Sequence, residues 1–558
     1  MRRSSLGVVL FIGLGASLSL AVTPSCGGKA NSSFPDGGAP GTHSSGPGSG
    51  TGSSSDSGGP SLGGDTGALP PSSSSGSGSS APVHYSDGGV LCPTGLKCDV
   101  SCTGGGTTTV TGKVYDPAGK DPLYNVAVYV PATALTALPK GVPTGADACS
   151  CGALFPSGAL TNATTAVDGS FTLKNVPVGT SVPLVLQVGK WRRALKINVN
   201  ACQDNAQADK SLTLPGTVAA GSDDSMPDIA VSTGEADSLE CLLVRIGVAE
   251  TEYVAGSSTS GHVHIFSGGG TSSGGGHGGG AGVGKPEKTP MSGAPSSPTS
   301  LWDKQADLMP YDVVLLSCEG GETYDANPQA LEAYLNAGGR AFGSHFHYAW
   351  FSGPVGSGQS YTTPSDWGTN LATWTADTGG GMTNSDIGGV IDQTLNGSTK
   401  PFPKGVTLST WLDENGALGT NNLPVATELA IYQPRYNASV GATNTPSQPW
   451  ITADSASGHP TSTMYFSFDT PVNAPIDDAG SPAYCGRAVF SDLHVAGNPM
   501  TSDDATKPPP SSCDQVDLSP QEKALEFMLF DLSSCVVPDT IAVPVDAGLP
   551  PPPPPPSK

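Results

Sequence analysis

YDVVLLSCEGGETYDANPQALEAYLNAGGRAFGSHFHYAWF, running from Tyr311 to Phe351, changes its patterning twice and ends on a histidine-bearing loop. Val313 to Ser317 is a short apolar, β-prone run, whereas Ala330 to Ala337 carries Leu331, Tyr334 and Leu335 at helical spacing. Gly338-Gly339 stops that helix, and Arg340 to Ser344 resumes an extended run. A strand, helix, strand order of this length predicts a right-handed parallel crossover. In open α/β sheets the working residues collect beyond the carboxyl ends of strands. Cys318-Glu319 and His345-Phe346-His347 both fall there.

Outside this stretch, composition sets limits. The 558 residues include 76 glycines and 51 prolines, and only 13% are charged, so compact domains must alternate with linkers. A net charge of −23 excludes a nucleic-acid partner, because no basic field is present to displace phosphate counterions.

Arg2 and Arg3 precede an apolar stretch from Leu6 to Val22 that is too short and too rich in small residues to span a bilayer comfortably. Residues 1–26 therefore read as an export signal. Thr23-Pro24-Ser25-Cys26 resembles the lipobox of bacterial lipoproteins, with Pro24 as a departure. The resemblance implies lipidation of Cys26 and a membrane partner through that anchor. The alternative is cleavage near Ala21 and release. Residues 27–90 are Ser, Gly, Pro and Asp with almost nothing apolar, a disordered tether. The expected location is the outer membrane, cell surface or periplasm, or otherwise the secreted fraction.

An exported chain is permitted disulfides, and this one has 12 cysteines. Setting Cys26 aside leaves an odd number, so at least one thiol is free or paired outside the chain. In the Cys-rich segment 91–106, Cys92, Cys98 and Cys102 lack a second zinc-binding half and read as disulfide partners. Cys149 and Cys151 are too close to bridge each other and should take different partners. Cys535 is expected to tie down the end of the last helix, with Cys513 as one possible partner.

Residues 107–215 carry short runs of period-two alternation separated by Asp-Pro, Asp-Gly and Pro-Val-Gly turns. Val126, Val128 and Val130 face one way, and Ala127 and Tyr129 the other, as in a half-buried sandwich strand. Trp191-Arg192-Arg193 reads as an edge strand with solvated arginines, or as an aromatic and cationic contact surface. Gly112-Lys113-Val114-Tyr115-Asp116, Asp168-Gly169-Ser170-Phe171 and Asn175-Val176-Pro177-Val178-Gly179 resemble the carboxypeptidase regulatory-like family. That resemblance implies a seven-stranded transthyretin- or Ig-like β-sandwich acting as a spacer or binding module.

A second domain is expected over 230–536. Leu239, Leu242, Leu243 and Ile246 share a helical face within Gly234 to Val248, and His262 to Phe266 alternates as a strand with two histidines on one face. A Gly/Ser-rich insertion, 267–300, contains the loop residue His277. Trp367 and Trp374 are spaced for one face of a helix, and Pro403 to Glu414 reads as a helix containing Trp411. Met464 to Phe468 and Arg487 to Phe490 read as strands, the latter leading into Ser491-Asp492-Leu493-His494. Ser519-Pro520-Gln521-Glu522 is a capping box opening a helix with Leu525, Met528, Leu529 and Leu532 in one stripe. Residues 537–558 are a Pro-rich tail, with Pro550 to Pro556 reading as polyproline.

Tyr311 to Ser317, Ala337 to His345, and Gly486 to Phe490 with His494 resemble class I glutamine-amidotransferase-like domains, nearest the trehalose-utilisation branch. The resemblance implies a flavodoxin-like α/β fold with its site at the strand ends. Working amidotransferases carry G-x-C-x-G here; this chain has Gly343-Ser344-His345-Phe346-His347, with His345 in the nucleophile's place, which argues against glutaminase chemistry. Cys318 sits on a different strand end and reads as buried or disulfide-bonded.

Three site readings stay open. In one, His345, His347 and His494, with Glu319 or Asp492, bind a divalent metal, because an H-x-H pair on extended backbone puts both rings on one side. In another, Ser344 is a nucleophile activated by His494, with His345 adjoining. In the third, the histidines are packed in a pocket that binds a ligand or nothing. The expected function is an exported cell-envelope binding or structural module tethered to the membrane, facing carbohydrate or peptide material. Its competitor is a metal-assisted or serine-type hydrolase using the same loop.

Overall fold

A computed structural model describes residues 92–540, apart from 99, 235, 269–288, 323–325, 354–361, 377–386, 421–422, 424, 454–461, 477–481, 496–501 and 505. The expected export signal with Cys26, the 27–90 tether, the centre of the Gly/Ser insertion with His277, and the polyproline run lie outside the described residues. Among the described residues, no helix is long and apolar enough to cross a membrane.

The chain is sheet-rich and multidomain. Its first seven strands are β1 (Thr109–Tyr115), β2 (Ala127–Pro131), β3 (Ala159–Thr164), β4 (Ser170–Lys174), β5 (Gly179–Val188), β6 (Trp191–Val199) and β7 (Leu212–Thr213). They form two sheets, ordered β4-β1-β7 and β3-β2-β5-β6. The alternation along β2 sorts as expected. Val126, Val128 and Val130 share a core with Val110, Val114, Leu184 and Leu186, while Ala127 and Tyr129 join Phe155 and Val185 on the other face. Both faces of β2 are buried, so the half-buried expectation is corrected: Phe155 covers what would otherwise be the solvent side.

The second domain is built on one ten-stranded sheet. Its strands are β8 (Ile229–Thr233), β9 (Tyr253–Ala255), β10 (Val263–Ser267), β11 (Val313–Leu316), β12 (Arg340–Ser344), β14 (Ile387–Ile391), β15 (Leu429–Ile431), β17 (Ser447–Ala453), β18 (Thr463–Thr470) and β19 (Gly486–Ser491); β13 (Thr373–Trp374) and β16 (Ala438–Ser439) make a separate ribbon. The order is β15-β14-β17-β18-β19-β12-β11-β8-β10-β9. From β19 to β9 every pairing is parallel, and from β19 to β15 every pairing is antiparallel. The helices are α1 (Leu239–Arg245), α2 (Ser297–Ser300), α3 (Gln305–Leu308), α4 (Pro328–Asn336), α5 (Tyr348–Ser352), α6 (Pro403–Glu414) and α7 (Pro520–Ser533).

Strand β11, helix α4 and strand β12 follow the pattern read from Tyr311 to Phe351. The Asn327 side chain caps α4 through Ala330 N at 3.2 Å. Gly338, at φ +113°, ends it, and Gly339 lies so close to Tyr334 that a Cβ would come within 2.3 Å of the ring. Trp367 and Trp374 do not share a helix. Trp367 sits in a turn and Trp374 in β13, both packed against Phe468, Phe466 or Phe490, so their burial is set by sheet contacts rather than helical spacing.

Helix α7 joins the two domains. Ser519 accepts from Glu522 N while Ser519 N donates to Glu522 Oε2 at 2.9 Å, the reciprocal cap expected from sequence. The helix is buried on more than its expected stripe, because Phe527 and Phe530 reach Tyr124 and Trp191 of the first domain at centroid distances of 5.9 and 5.7 Å. Strand β6 is the edge of its sheet, as read from Trp191-Arg192-Arg193, but the expected solvation fails at Arg192. Trp191 is fully buried, and Arg192, 2% exposed, donates to Thr136 O and Asp223 O. A single apolar core runs through both domains, and a buried Lys190–Asp312 ion pair at 2.5 Å crosses between them.

Among the described residues, five disulfides complete the frame. Cys92 pairs with Cys98, Cys102 with Cys202, Cys149 with Cys485, Cys151 with Cys535 and Cys241 with Cys513, and Cys318 is the free, buried cysteine of this set. Cys149 and Cys151 do take different partners. The suggested Cys513–Cys535 pair does not form: α7 lies between the two cysteines and carries Cys535 to the first domain. Since Cys149–Cys485 and Cys151–Cys535 both close loops of hundreds of residues between domains, replacing all four cysteines by serine is expected to cost about 2–4 kcal/mol per bridge, read as a lower urea midpoint.

Between the domains, Asp116 and Glu526 of α7 are buried beside Asp121. Lys120 N donates to Asp116 Oδ1 at 2.6 Å, Lys523 Nζ pairs with Asp121 at 2.9 Å, and Lys120 Nζ reaches Asp517 at 2.6 Å. Burial first, opposed by the Lys120 N–H and reinforced by the Asp121 charge, pushes Asp116 up to about 7; burial and both aspartates push Glu526 well up. Between the ordinary carboxylate range and about pH 7, the folded chain holds protons that the unfolded chain has released. Stability therefore falls as pH rises through that window. Melting temperature should decline from pH 5 to 8, and Asp116→Asn with Glu526→Gln should flatten the decline.

Candidate functional site

Strand register builds the site. Strand β12 lies between β11 and β19, with Leu316 opposite Gly343 and Ser344 opposite Ser491. The residues just past these three carboxyl ends are therefore neighbours. His345 takes φ +42°, a left-handed backbone that non-glycine residues adopt at a cost, and turns the chain from β12 into a 3-10 turn, His345–His347, and then α5. Cys318 Sγ lies 3.2 Å from His345 Nδ1, and the His494 ring is centred 5.0 Å from that of His345. One ligand-capable atom from each of Cys318, His345 and His494 falls within 4.8 Å of the others, and all three residues are buried.

A carboxylate from a fourth strand end holds this group. Asp237 follows β8; its Oδ2 accepts from Ser344 Oγ at 2.6 Å and its Oδ1 from Val495 N and Ser238 N at 2.8 Å each. Ser344 precedes His345 and Val495 follows His494, so one buried side chain ties together the loops that carry both histidines. Gln521 of α7 donates to His494 O and accepts from Tyr432 N at 2.7 Å, which fixes the same loop from the other side. Gly234 permits the close approach of β8 and β11: a Cβ there would lie 2.1 Å from Cys318 O.

The residues expected at the site divide. His345 and His494 come together, and Cys318 joins them. His347 stands apart from that group because the backbone after Ser344 is a 3-10 turn and not extended, so the two rings of the H-x-H pair diverge. Its Nδ1 lies 3.4 Å from Ser344 O and its ring neighbours Trp350 at 5.9 Å. Burial, opposed by the Ser344 carbonyl and reinforced by His345, lowers its pKa to about 3, so it is neutral at physiological pH.

Glu319 also stands apart from the three. Its carboxylate packs against Gly268 at the end of β10, on the far side of β8. Asp492 Oδ2 accepts from Asn437 N at 2.9 Å. Ser344 donates its hydroxyl to Asp237 rather than to a histidine, so the expected serine-to-histidine relay is not formed. The earlier pair, His262 and His264, does not converge either. His262 pairs with Glu252 at 2.6 Å, while His264 lies under Tyr311.

Cys318 is absent from the expected ligand set because a cysteine on a different strand end of a disulfide-rich chain reads as buried or bridged; it is buried but unbridged, and it meets His345 across 27 residues of sequence. The signal that reveals it is the parallel crossover: once β11 and β12 are paired in register, residues equally far past their ends must meet. Burial pushes the Cys318 thiol up to about 12, opposed by the N–H groups of Phe346 and Gly320. Without a cation beside it, this sulfur is a thiol and a poor nucleophile.

No protein-family model matches this chain, and comparison with curated proteins yields no match. Among solved structures, it is similar to a chain of a mutant type II cohesin–X-module–dockerin complex from Acetivibrio cellulolyticus, at 15% identity and a TM-score of 0.14 over 28% of this chain and 88% of that one. A likeness of that size carries no argument about either domain.

Asp237→Ala should leave the Ser344 hydroxyl and the Val495 N–H buried without their shared acceptor. The expected loss is about 2–5 kcal/mol, measured by urea denaturation.

Proposed function

We propose that this chain is an exported cell-envelope protein whose second domain binds a ligand at the carboxyl ends of β11, β12 and β19 without turning it over, while the first domain serves as its rigid support. Five disulfides favour an oxidising compartment, in keeping with the export reading of residues 1–26 and a lipid tether at Cys26. Seven strands in two sheets with a shared core favour the carboxypeptidase regulatory-like sandwich. In the second domain, numbering the strands of the run β10-β8-β11-β12-β19 by their place in the chain gives the order 2-1-3-4-5 of flavodoxin-like sheets, which favours the amidotransferase-like reading, with β9 as an addition.

The observation that carries the non-catalytic reading is the occupant of the turn after β12. The strained backbone that presents a nucleophile in amidotransferases presents an imidazole here, and the adjacent Ser344 hydroxyl is committed to Asp237. Envelope carbohydrate or peptide is the ligand class this location favours. The competing hydrolase reading keeps one support, the Cys318–His345–His494 group, and would need a bound ion to activate water.

Fluorophosphonate labelling and glutaminase assays on the full chain check this reading. No phosphonylation and no ammonia release are expected. Stoichiometric labelling of Ser344, abolished by His494→Ala, would overturn it.

A further inference from the structure

We infer that Cys318, His345 and His494 form a site for a thiolate- and imidazole-seeking transition-metal ion, Zn²⁺ or Cu⁺; this rests on the reading of the strand ends as a binding site. The donor set is one sulfur and two ring nitrogens, a combination that selects borderline to soft ions over Mg²⁺ or Ca²⁺. Geometry agrees. Around a tetrahedral zinc with bonds of about 2.0–2.3 Å, neighbouring donor atoms lie about 3.3–3.6 Å apart. Here the sulfur and the His345 nitrogen are 3.2 Å apart, and the three donors lie within 4.8 Å of one another, so small side-chain rotations bring all three onto one ion.

A thiol-to-imidazole hydrogen bond would by itself account for the Cys318–His345 contact. It does not call for a second histidine from a third strand. The three donors come from three separate strand ends, each set by ladder pairing, and Asp237 links the residues flanking both histidines. Such outer support orients ligands before the ion arrives. Cys318 is also the free thiol among the described cysteines of a chain otherwise closed into disulfides. On binding, the Cys318 S–H bond breaks, its proton leaves to solvent and the sulfur–metal bond forms, with no change of oxidation state. Three protein donors leave a fourth position for water or a donor atom of the envelope ligand.

The test uses the full chain, secreted through an oxidising compartment and purified without chelator. Elemental analysis should find a single zinc or copper ion per chain, and which of the two is retained decides the ion. After stripping and reloading with Co²⁺, a thiolate-to-cobalt charge-transfer band and tetrahedral visible bands are expected. Cys318→Ser should abolish the charge-transfer band, His494→Ala should abolish retention through dialysis, and His347→Ala should change neither. Asp237→Asn should weaken affinity about 10–100-fold. Disulfide content and near-ultraviolet circular dichroism identify the variants that remain folded.

If the folded wild-type chain takes up none of Zn²⁺, Cu⁺ or Co²⁺, the site is refuted, and uptake unchanged in a folded Cys318→Ser, His494→Ala double variant refutes it equally. Failure of the ion site and failure of the non-catalytic reading are distinguishable. Ammonia release or Ser344 labelling by the metal-loaded chain would sink the non-catalytic reading and leave the ion site standing, whereas a folded chain that takes up none of the three ions and shows neither activity would do the reverse.

Discussion

Parallel pairing of β8, β11, β12 and β19 is the constraint on which the rest of the second domain depends. Strands that share register and direction end together, so the loops leaving their carboxyl ends are brought side by side. Four segments far apart in the chain thereby deliver Asp237, Cys318, His345 and His494 to one buried place. None of these residues would meet if the ladder slipped by one, because a one-residue shift turns every side chain to the opposite face of the sheet.

That sheet is held by more than its own core. Helix α7 carries aromatic side chains into the first domain and, through Gln521, reaches back to the His494 carbonyl. Two disulfides run from the short Cys149 to Cys151 segment to either side of the sheet's supports, one just before β19 and one just after α7. The first domain thus braces the strand and the helix that position His494. Side chains built on such bracing sit on rigid elements, which fixes their mutual placement.

The turn after β12 holds a non-glycine residue, His345, in the left-handed region. Ser344 is spent on Asp237, His347 is folded back towards Trp350, and the sulfur that joins His345 comes from the adjacent strand. Strain of this kind persists only where surrounding contacts over-determine it. Here the contacts include the Asp237 clamp, the ladder on both sides of β12, and the burial of Phe351 and Trp350 in α5.

Local pattern is legible wherever the physics is local. The apolar run of β11, the spacing of Leu331, Tyr334 and Leu335 in α4, the glycine pair that ends it, the capping box of α7 and the alternation along β2 all arise from short-range backbone and burial preferences. Trp367 and Trp374 mislead because helical spacing is also compatible with two aromatics that pack on a sheet from separate turns. The H-x-H pair misleads because side-chain direction depends on whether the backbone continues as a strand, and it does not. The residue order alone specifies the parallel crossover and places His345 and His494 just past strand ends. Three-dimensional packing was needed to make Cys318 the third member, to let Asp237 tie the histidine loops together, and to send His347 and Glu319 elsewhere. Strand ends are set by residues near in sequence, but which ends lie side by side is set by ladder register and by packing between distant segments, and no local pattern encodes that distance.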